Sequence, residues 1–325
     1  SQEIRFIAHG FESVYEVGLY APMGESSPIW RFHTERLEER GERIFGRSHH
    51  STEKFNPDAG LAALKMVEFQ PDSAVASLLS SLQGFGIYSP ATDFLRGLVP
   101  DPSQKAPVGL RGGRLPEAVN GLTLSLLSKD LLANQNDSPY LSPVTEEILG
   151  MIDWSSGYHV VTSDRSPQTS SVPSAKEVLV FFDRYMAANR STLTGYDASE
   201  GALFVLFNAV MALHPKSPNF LAIDNADHGL NPRLAKALMA NMCRWVLDLV
   251  PQRQMLLTTH NPLILDGLPL NDDRVRLFTV DRSRKGHTVV RRVIIDEKIR
   301  NMATEGWTLS RLWVMGHLGG GVPNV

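Results

Sequence analysis

The sequence has 325 residues, a mass of 36.0 kDa, 42% apolar residues and 21% charged residues. This composition excludes a disordered or fibrous chain and predicts a sizeable core in one large domain or two ordinary ones. The 32 basic and 35 acidic residues give a formal net charge of −3, which disfavours a globally cationic nucleic-acid binder but leaves a local basic patch open. Cys243 is the only cysteine, which excludes an internal disulfide and favours a reducing, cytoplasmic compartment. No apolar run approaches the roughly 20 residues that cross a bilayer, so no membrane partner is expected.

The first part of the chain alternates apolar and polar residues in three segments that predict strands, 4–8, 14–20 and 29–34. Residues 36–43 carry charges of both signs and predict a solvated turn or short helix. Apolar spacings of three and four predict helices over 61–68 and 73–82. A short strand is expected within 84–90.

The middle of the chain combines helices with loops. Residues 100–116 are rich in Pro, Gly, Ser and Arg, which predicts a loop. Helical patterns follow at 118–133 and 143–152. Residues 163–174 are polar and rich in Ser, so we expect this segment to be exposed and mobile.

The last third of the chain alternates helices and strands. Its apolar patterns predict helices over 199–213 and 232–250, and strands over 219–223, 255–259, 277–280 and 289–295. Strands that alternate with helices of this length favour a parallel or mixed sheet covered by helices.

Three places in this last third carry residues suited to phosphate chemistry. Asp224 ends an apolar strand, and carboxylates at that edge of an α/β sheet commonly serve Mg²⁺. His260 follows the next strand and can hydrogen-bond a phosphate or an attacking water. Ser199 is placed to cap a long helix, whose first amides favour an anion. Each of these three features, taken alone, more often has a purely structural role. The prediction of a phosphate site therefore depends on their order and spacing together.

Together these places resemble the distal half of an ABC/SMC/RecF-type ATPase head, as found in many bacterial genome-defence operons. The resemblance rests on three short sequence motifs: Ala-Ser-Glu-Gly-Ala at 198–202, Ile-Asp-Asn-Ala-Asp-His-Gly-Leu-Asn-Pro at 223–232 and Thr-Thr-His-Asn-Pro at 258–262. It implies an α/β P-loop ATPase head, with a mixed β-sheet flanked by helices and an inserted helical lobe. The expected divisions are a β-rich part at 1–95, the helical lobe at 96–190, and the ATPase core at 191–325.

The resemblance also implies roles for single residues. Asp224 corresponds to the Walker B carboxylate that serves Mg²⁺, directly or through water, and His260 to the switch histidine at the γ-phosphate. Ser199, Glu200 and Gly201 correspond to the signature element, which in this family caps ATP bound to a second subunit. ATP, Mg²⁺ and a homodimer or higher oligomer are therefore expected. Asp266 is expected to order the following turn.

Two departures from the family pattern qualify these expectations. The sequence has no Gly-x-x-x-x-Gly-Lys-Ser/Thr motif, and because it opens at Ser1 directly on a strand, we expect that phosphate loop upstream. The residue after Asp224 is usually Glu, but here it is Asn225. An amide orients water but cannot accept its proton, so hydrolysis is expected to be slow. Asp227 and His228 are the nearest other bases, and neither is a convincing replacement.

The resulting hypothesis is an ATPase subunit whose ATP-dependent dimerisation controls a nuclease or toxin effector in anti-phage defence. A non-hydrolysing, nucleotide-stabilised scaffold that sequesters an effector is the alternative, and a DNA-repair-like or Toprim-nuclease-associated ATPase is less favoured. Nucleic-acid contact stays open, since a group of basic residues is interleaved with acidic ones and also fits a solvated or interfacial face. The basic residues are Arg274, Arg276, Arg282, Arg284, Lys285, Arg291 and Arg292, and the acidic ones are Asp272, Asp273, Asp281, Asp296 and Glu297.

Overall fold

A computed structural model describes residues 2–21, 29–48, 56–61, 69–133, 142–162 and 177–318. These residues form two units, one from residues 1–85 with 218–220 and the other from 86–217 with 221–325. The predicted helix at 61–68 falls almost wholly outside the described residues, and so does the polar segment 163–174. The division into 1–95, 96–190 and 191–325 stays a prediction.

The first unit is a four-stranded antiparallel sheet with one helix packed on it. The strand order is β1-β2-β3-β4, and the helix contacts the two central strands. Ser73 caps the helix by accepting a hydrogen bond from the Ala76 amide, as expected at a helix start. The elements are β1 (Gln2–His9), β2 (Ser13–Ala21), β3 (Arg31–Glu39), β4 (Glu42–Arg47) and α1 (Ala74–Gly84).

A buried ion pair crosses the interior of this sheet. The Glu35 carboxylate contacts Arg47, the Tyr15 hydroxyl and the Leu61 amide, and the side chains of Glu35 and Arg47 are 0% and 1% exposed. Arg47 also donates to two backbone carbonyls at 2.9 Å. These partners compensate for the loss of water around both charges.

The predicted turn or short helix at 36–43 is wrong. Its first part belongs to β3 and its last part to β4, and only Arg40 and Gly41 form a turn. Both turn residues have positive φ, 51° and 83°, which suits the tight turn of a right-twisted hairpin. The charges are compatible with strands because Leu37 faces the core while Arg36 and Glu38 pair with each other outside.

The second unit is built around one buried helix, α5. Its side chains from Ala202 to Ala212 are all buried, as expected for a helix that is apolar on every side. Helices α2, α3, α4 and α6 pack on it. The helices are α2 (Thr92–Leu95), α3 (Leu115–Ala133), α4 (Pro143–Met151), α5 (Glu200–Leu213), α6 (Pro232–Leu247), α7 (Glu297–Thr304) and α8 (Leu309–Val314).

Three small sheets complete the second unit. One has the order β10-β9-β5, with β5 and β9 parallel; a second, β6-β7-β8, is antiparallel; the third is the antiparallel pair β11-β12. The strands are β5 (Ile87–Tyr88), β6 (Ser155–Thr162), β7 (Glu177–Asp183), β8 (Thr192–Thr194), β9 (Phe220–Ile223), β10 (Gln254–Leu257), β11 (Leu277–Arg282) and β12 (Thr288–Val293).

Most of the predicted elements of this unit are confirmed, with two corrections. The strands predicted at 277–280 and 289–295 exist, but they form their own hairpin and do not extend the sheet that holds β9. The segment expected to be a helical lobe also contains strands β6 and β7, which the sequence patterns missed. β9 and β10 lie side by side, and this pairing positions the site described next.

Candidate functional site

Asp224 and Thr258 lie next to each other where strands β9 and β10 end. The Asp224 amide donates to Tyr88 O at 2.8 Å, and the Thr258 amide donates to Ile223 O at 3.1 Å, so both residues are held by sheet hydrogen bonds. The Thr258 hydroxyl donates to Asp224 Oδ1 at 2.6 Å and accepts from the Asn225 amide at 2.9 Å. This hydroxyl thus fixes both the carboxylate and the backbone that follows it.

The side chains of Asp224 and Thr258 are both exposed. Carboxylate and hydroxyl oxygens are the donors that Mg²⁺ prefers, and Mg²⁺ usually binds one or two protein carboxylates together with water and substrate phosphates. Among the described residues, no group of three or more His, Cys, Asp or Glu side chains is arranged to hold a metal. The edge thus presents one exposed carboxylate and one exposed hydroxyl, and the expected role of Asp224 toward Mg²⁺ stays a prediction.

Asn225 begins a tight turn in the left-handed region, with φ of 53°. Asn is enriched there because its short polar side chain tolerates this conformation better than most residues do. The turn continues with a hydrogen bond from the His228 amide to Asn225 O at 2.9 Å, and it ends where Asn231 caps α6. This backbone conformation gives a structural reason for Asn after Asp224, which sequence reasoning could not supply.

His260 is presented by a turn that is tied on both sides. The Asn261 amide donates to the Thr259 hydroxyl at 3.0 Å, and the Asn261 side chain accepts from the Leu263 amide at 3.0 Å. The His260 side chain is exposed. Since two residues of extended chain span at most about 7 Å, His260 lies close to Thr258 and hence to the Asp224 edge.

Ser199 caps helix α5 as predicted. Its hydroxyl accepts from the Ala202 amide at 3.4 Å and also from Trp154 Nε1 at 3.2 Å. Ser199 itself is exposed, while the next two residues of α5 are half-buried. Trp154 was not singled out from the sequence, because nothing in the local pattern links it to a helix start 45 residues later.

Glu200 and Gly201 contact the turn that follows β9 in the same chain. Glu200 accepts a hydrogen bond from the Thr92 hydroxyl, and its Oε1 lies 3.9 Å from His228 Nε2. A Cβ atom on Gly201 would lie 3.5 Å from the carbonyl oxygen of Gly229. The start of α5 is thus joined to the turn that Asp224 opens. The expected contact of Ser199, Glu200 and Gly201 with ATP in a second subunit stays a prediction.

Two other acidic or basic candidates have structural contacts. His228, considered as a replacement base, has its ring 5.2 Å from the Phe204 ring of α5. Asp266 accepts from the Ser310 amide at 2.9 Å and the Ser310 hydroxyl at 2.7 Å. Asp266 therefore anchors the start of α8, which is a structural role although not the turn that was expected.

The far end of α5 is held by Arg253. Its guanidinium donates to the carbonyls of Met211 at 3.2 Å, His214 at 3.2 Å and Ser217 at 3.3 Å, and it also contacts Ala212 O. The last carbonyls of a helix have no partner within the helix, and a cation there is favourable. Arg253 therefore stabilises the helix whose other end carries Ser199.

Comparison with known families identifies the chain. Residues 34–266 match the family described as "AAA domain, putative AbiEii toxin, Type IV TA system". The chain belongs to this family. The match covers β3 to the Asp266 turn and so includes Ser199, Asp224 and His260. The AAA-family match and the architecture of helices and mixed sheets confirm the predicted α/β ATPase fold.

No curated protein matches the sequence of this AAA-family chain. Similar solved structures include the SMC head domain from Thermotoga maritima, with a TM-score of 0.37 and 12% identity over 87% of this chain and 75% of that one. The SMC head bound to the C-terminal domain of ScpA, derived from Pyrococcus furiosus, has a TM-score of 0.36 and 12% identity over 91% of this chain and 81% of that one. With TM-scores below 0.5, these likenesses support no statement about function. Among the described residues, no helix is both long and apolar enough to cross a membrane.

Proposed function

We propose that this chain is the ATP-binding part of an ATPase that uses Mg²⁺ and closes head to head with a second copy of itself. The observation that carries the proposal is the hydrogen-bonded group of Asp224, Asn225 and Thr258, held at the exposed ends of two neighbouring strands. This is the position at which α/β sheets bind ligands, and the chain belongs to a family of AAA domains.

Each residue of the site has a distinct part in this proposal. Asp224 holds Mg²⁺, which supplies charge neutralisation at the β- and γ-phosphates when it is bound. His260 hydrogen-bonds the γ-phosphate or the attacking water. Asn225 orients that water but takes no proton from it, so hydrolysis is slow.

The signature residues complete the site from the second copy. Ser199 is exposed at the start of α5, where free amides and the helix dipole favour a phosphate. ATP that contacts Asp224 in one subunit and Ser199 in the other stabilises the closed dimer, because only the closed form offers both sets of contacts. Glu200 and Gly201 support this end of α5 through the turn at Gly229.

The biological role that we propose is control of a nuclease or toxin effector in anti-phage defence within the cytoplasm. The family description names a toxin of a Type IV TA system, which supports a partnership of this kind. Slow reopening after ATP binding would keep the effector in one state for long periods.

Asn225 also favours a second candidate, a scaffold that binds nucleotide without hydrolysing it. In that case the closed dimer would be held for as long as nucleotide stays bound, and the effector would be sequestered. The two candidates differ in a single measurable quantity, the release of phosphate.

Phosphate release by the natural full-length protein with Mg²⁺ and ATP tests the proposal. We expect slow release that falls at least about tenfold in Asp224→Ala and in His260→Ala. The control is Asp248→Ala, which removes an exposed carboxylate at the end of α6 and should leave the rate unchanged. ATP binding without any release would favour the scaffold, and release that neither site variant alters would refute the proposed site.

A further inference from the structure

The hairpin of β11 and β12, residues 277–293, is a second candidate binding surface on this chain. Its strands pair in antiparallel register with Val280 opposite Val290. The tip is a closed turn in which the Ser283 amide donates to His287 O at 2.8 Å and the His287 amide donates to the Ser283 hydroxyl at 3.0 Å. The hairpin therefore has a defined shape up to its tip.

One face of the hairpin is anchored on the second unit and the other faces solvent. Leu277 packs with the apolar cluster of Ile264 and Leu265, and Thr279 is 7% exposed. The outward face alternates with these residues and includes Phe278, Val280 and Val290, which are 46%, 66% and 60% exposed. Arg282 and Arg292 lie on this outward face too, because side chains two positions apart share a face.

The charge of this hairpin differs from that of the β3–β4 hairpin, which has the same length. Residues 31–47 contain five basic and four acidic side chains, whereas residues 277–293 contain five basic side chains and one acidic side chain. The first hairpin is therefore nearly neutral, while the second has a net charge of +4 in a chain whose net charge is −3.

Pairing within the structure increases this contrast. Four of the five arginines in the β3–β4 hairpin lie within ion-pair distance of a carboxylate: Arg31, Arg36, Arg40 and Arg47. In the β11–β12 hairpin, Arg291 pairs with Asp281 at 3.2 Å and Arg292 lies 3.8 Å from Asp273. Within the part of the chain that the structure describes, Arg282, Arg284 and Lys285 at the tip form no ion pair.

Two of the neighbouring acidic residues, Asp272 and Asp296, are engaged outside the hairpin. Asp272 forms hydrogen bonds with Arg274, which lower the pKa of Asp272 to about 2. Asp296 caps α7 by accepting from the Ile299 amide at 2.9 Å. The sequence left a solvated or interfacial face open for this segment. In the fold, the three cations of the tip have no ion-pair partner among the described residues, so the tip stays cationic.

We propose that the tip of this hairpin binds double-stranded DNA. A two-stranded ribbon fits the major groove, where the cations of the tip can reach phosphates and apolar side chains can contact thymine methyl groups. Arg282, Arg284 and Lys285 supply the phosphate contacts, and the outward apolar residues lie directly behind them on the same ribbon. This binding is separate from the proposed nucleotide site and requires none of its residues.

Fluorescence anisotropy with a labelled DNA duplex, recorded over a range of salt concentrations without nucleotide, tests the proposal. The variant carries Arg282→Gln, Arg284→Gln and Lys285→Gln. The matched control carries Arg36→Gln, Arg40→Gln and Arg43→Gln, which removes the same charge from the other hairpin. Circular dichroism and thermal melting verify that both variants are folded.

We expect the unmodified chain to bind the duplex with an affinity that falls as salt rises. Loss of three phosphate contacts should reduce the slope of log K against log salt by about 2 to 3 and weaken binding on the order of tenfold at low salt. The control should retain the slope of the unmodified chain. The proposal is overturned if the unmodified chain does not bind, if the tip variant binds as well as the control, or if polyglutamate competes as strongly as DNA at equal charge.

Discussion

The Thr258 hydroxyl donates a 2.6 Å hydrogen bond to Asp224 Oδ1 and accepts a 2.9 Å hydrogen bond from the Asn225 amide. Thr258 thereby links the strand that ends in Asp224 to the segment that carries His260. This hydrogen bond restricts rotation of the Asp224 carboxylate, so its remaining lone pairs have a fixed direction relative to the sheet. Outer partners of this kind orient a metal ligand and set its affinity.

The first prediction concerns this hydroxyl. Thr258→Val keeps the shape of the side chain but removes the hydrogen bond, so the Mg²⁺ concentration that gives half-maximal ATP binding should rise about 10- to 100-fold. Thr258→Ser keeps the hydroxyl and should stay close to the unmodified protein. Titration of Mg²⁺ at fixed ATP checks both, and an equal Mg²⁺ requirement in Val and Ser variants would contradict a positioning role for Thr258.

The second prediction concerns the residue that follows Asp224. Asn225→Glu introduces a carboxylate that can accept a proton from the attacking water, so the rate of phosphate release should rise by about 10²-fold or more. Asn225→Gln has the same length without the base and should not accelerate release. A Glu variant no faster than the Gln variant, with ATP binding intact in both, would show that Asn225 does not limit hydrolysis.

The third prediction concerns Arg253 at the end of α5. Arg253→Met leaves four backbone carbonyls without their donor and should lower the free energy of unfolding by about 3 kcal/mol. Arg253→Lys should lose less, because an ammonium still donates but cannot reach all four carbonyls. Urea unfolding measures the differences. Arg284→Met is the surface control and should change the free energy of unfolding by less than about 0.5 kcal/mol. If Arg284→Met destabilised the protein as much as Arg253→Met does, the proposed role of Arg253 would be contradicted.

The fourth prediction concerns pH. Burial lowers the pKa of His214, and Lys216 and Arg253 add to this effect, while His214 Nδ1 accepts from the Lys216 amide at 2.9 Å. In the unfolded chain the histidine binds a proton near pH 6.5, which the folded state disfavours. The stability contributed by His214 is therefore present above about pH 6.5 and is lost as the pH falls toward the lower pKa of the folded state.

The variant His214→Asn separates this titration from that of the carboxylates. An Asn side chain can accept the same amide hydrogen bond two residues later, but it has no proton to gain. Thermal midpoints measured between pH 8 and pH 5 should therefore fall less steeply for His214→Asn than for the unmodified protein. Parallel pH profiles for the two proteins would exclude His214 as a source of acid sensitivity.

Much of the fold was predictable from local patterns. The strand that contains Tyr15 follows from alternation, the helix near 73–82 from apolar spacing, and the helix that starts after Ser199 from capping chemistry and an apolar run. Strands β6 and β7 were missed because they are partners of each other but are separated in the sequence by the polar residues 163–176. No short turn signal therefore marks them as a hairpin. Residues 36–43 were misassigned because Leu37 is the one buried residue among them, so no alternation is visible locally and the strands are revealed only by the pairing of β3 with β4.

The candidate site was predictable in its residue types but not in its connections. Asp224 and His260 could be proposed because polar residues at strand ends are visible in the sequence. The role of Thr258 depends on β9 and β10 being neighbours, and the contact of Glu200 with His228 depends on how α5 meets the turn after β9. Such links are set by tertiary packing, so they could be found only in the structure.

The central claim is that one ATP site is shared between two copies of this chain. Mixing two inactive variants of the natural protein tests it most directly: Asp224→Ala, which loses the metal ligand, and Ser199→Asp, which keeps a capping side chain but places a carboxylate where phosphate should bind. Each variant alone should release little phosphate. An equal mixture should recover roughly a quarter of the unmodified activity, since about half of the dimers are mixed and each of these has one intact site. A mixture no more active than its components, although mixed dimers form, would contradict the shared site.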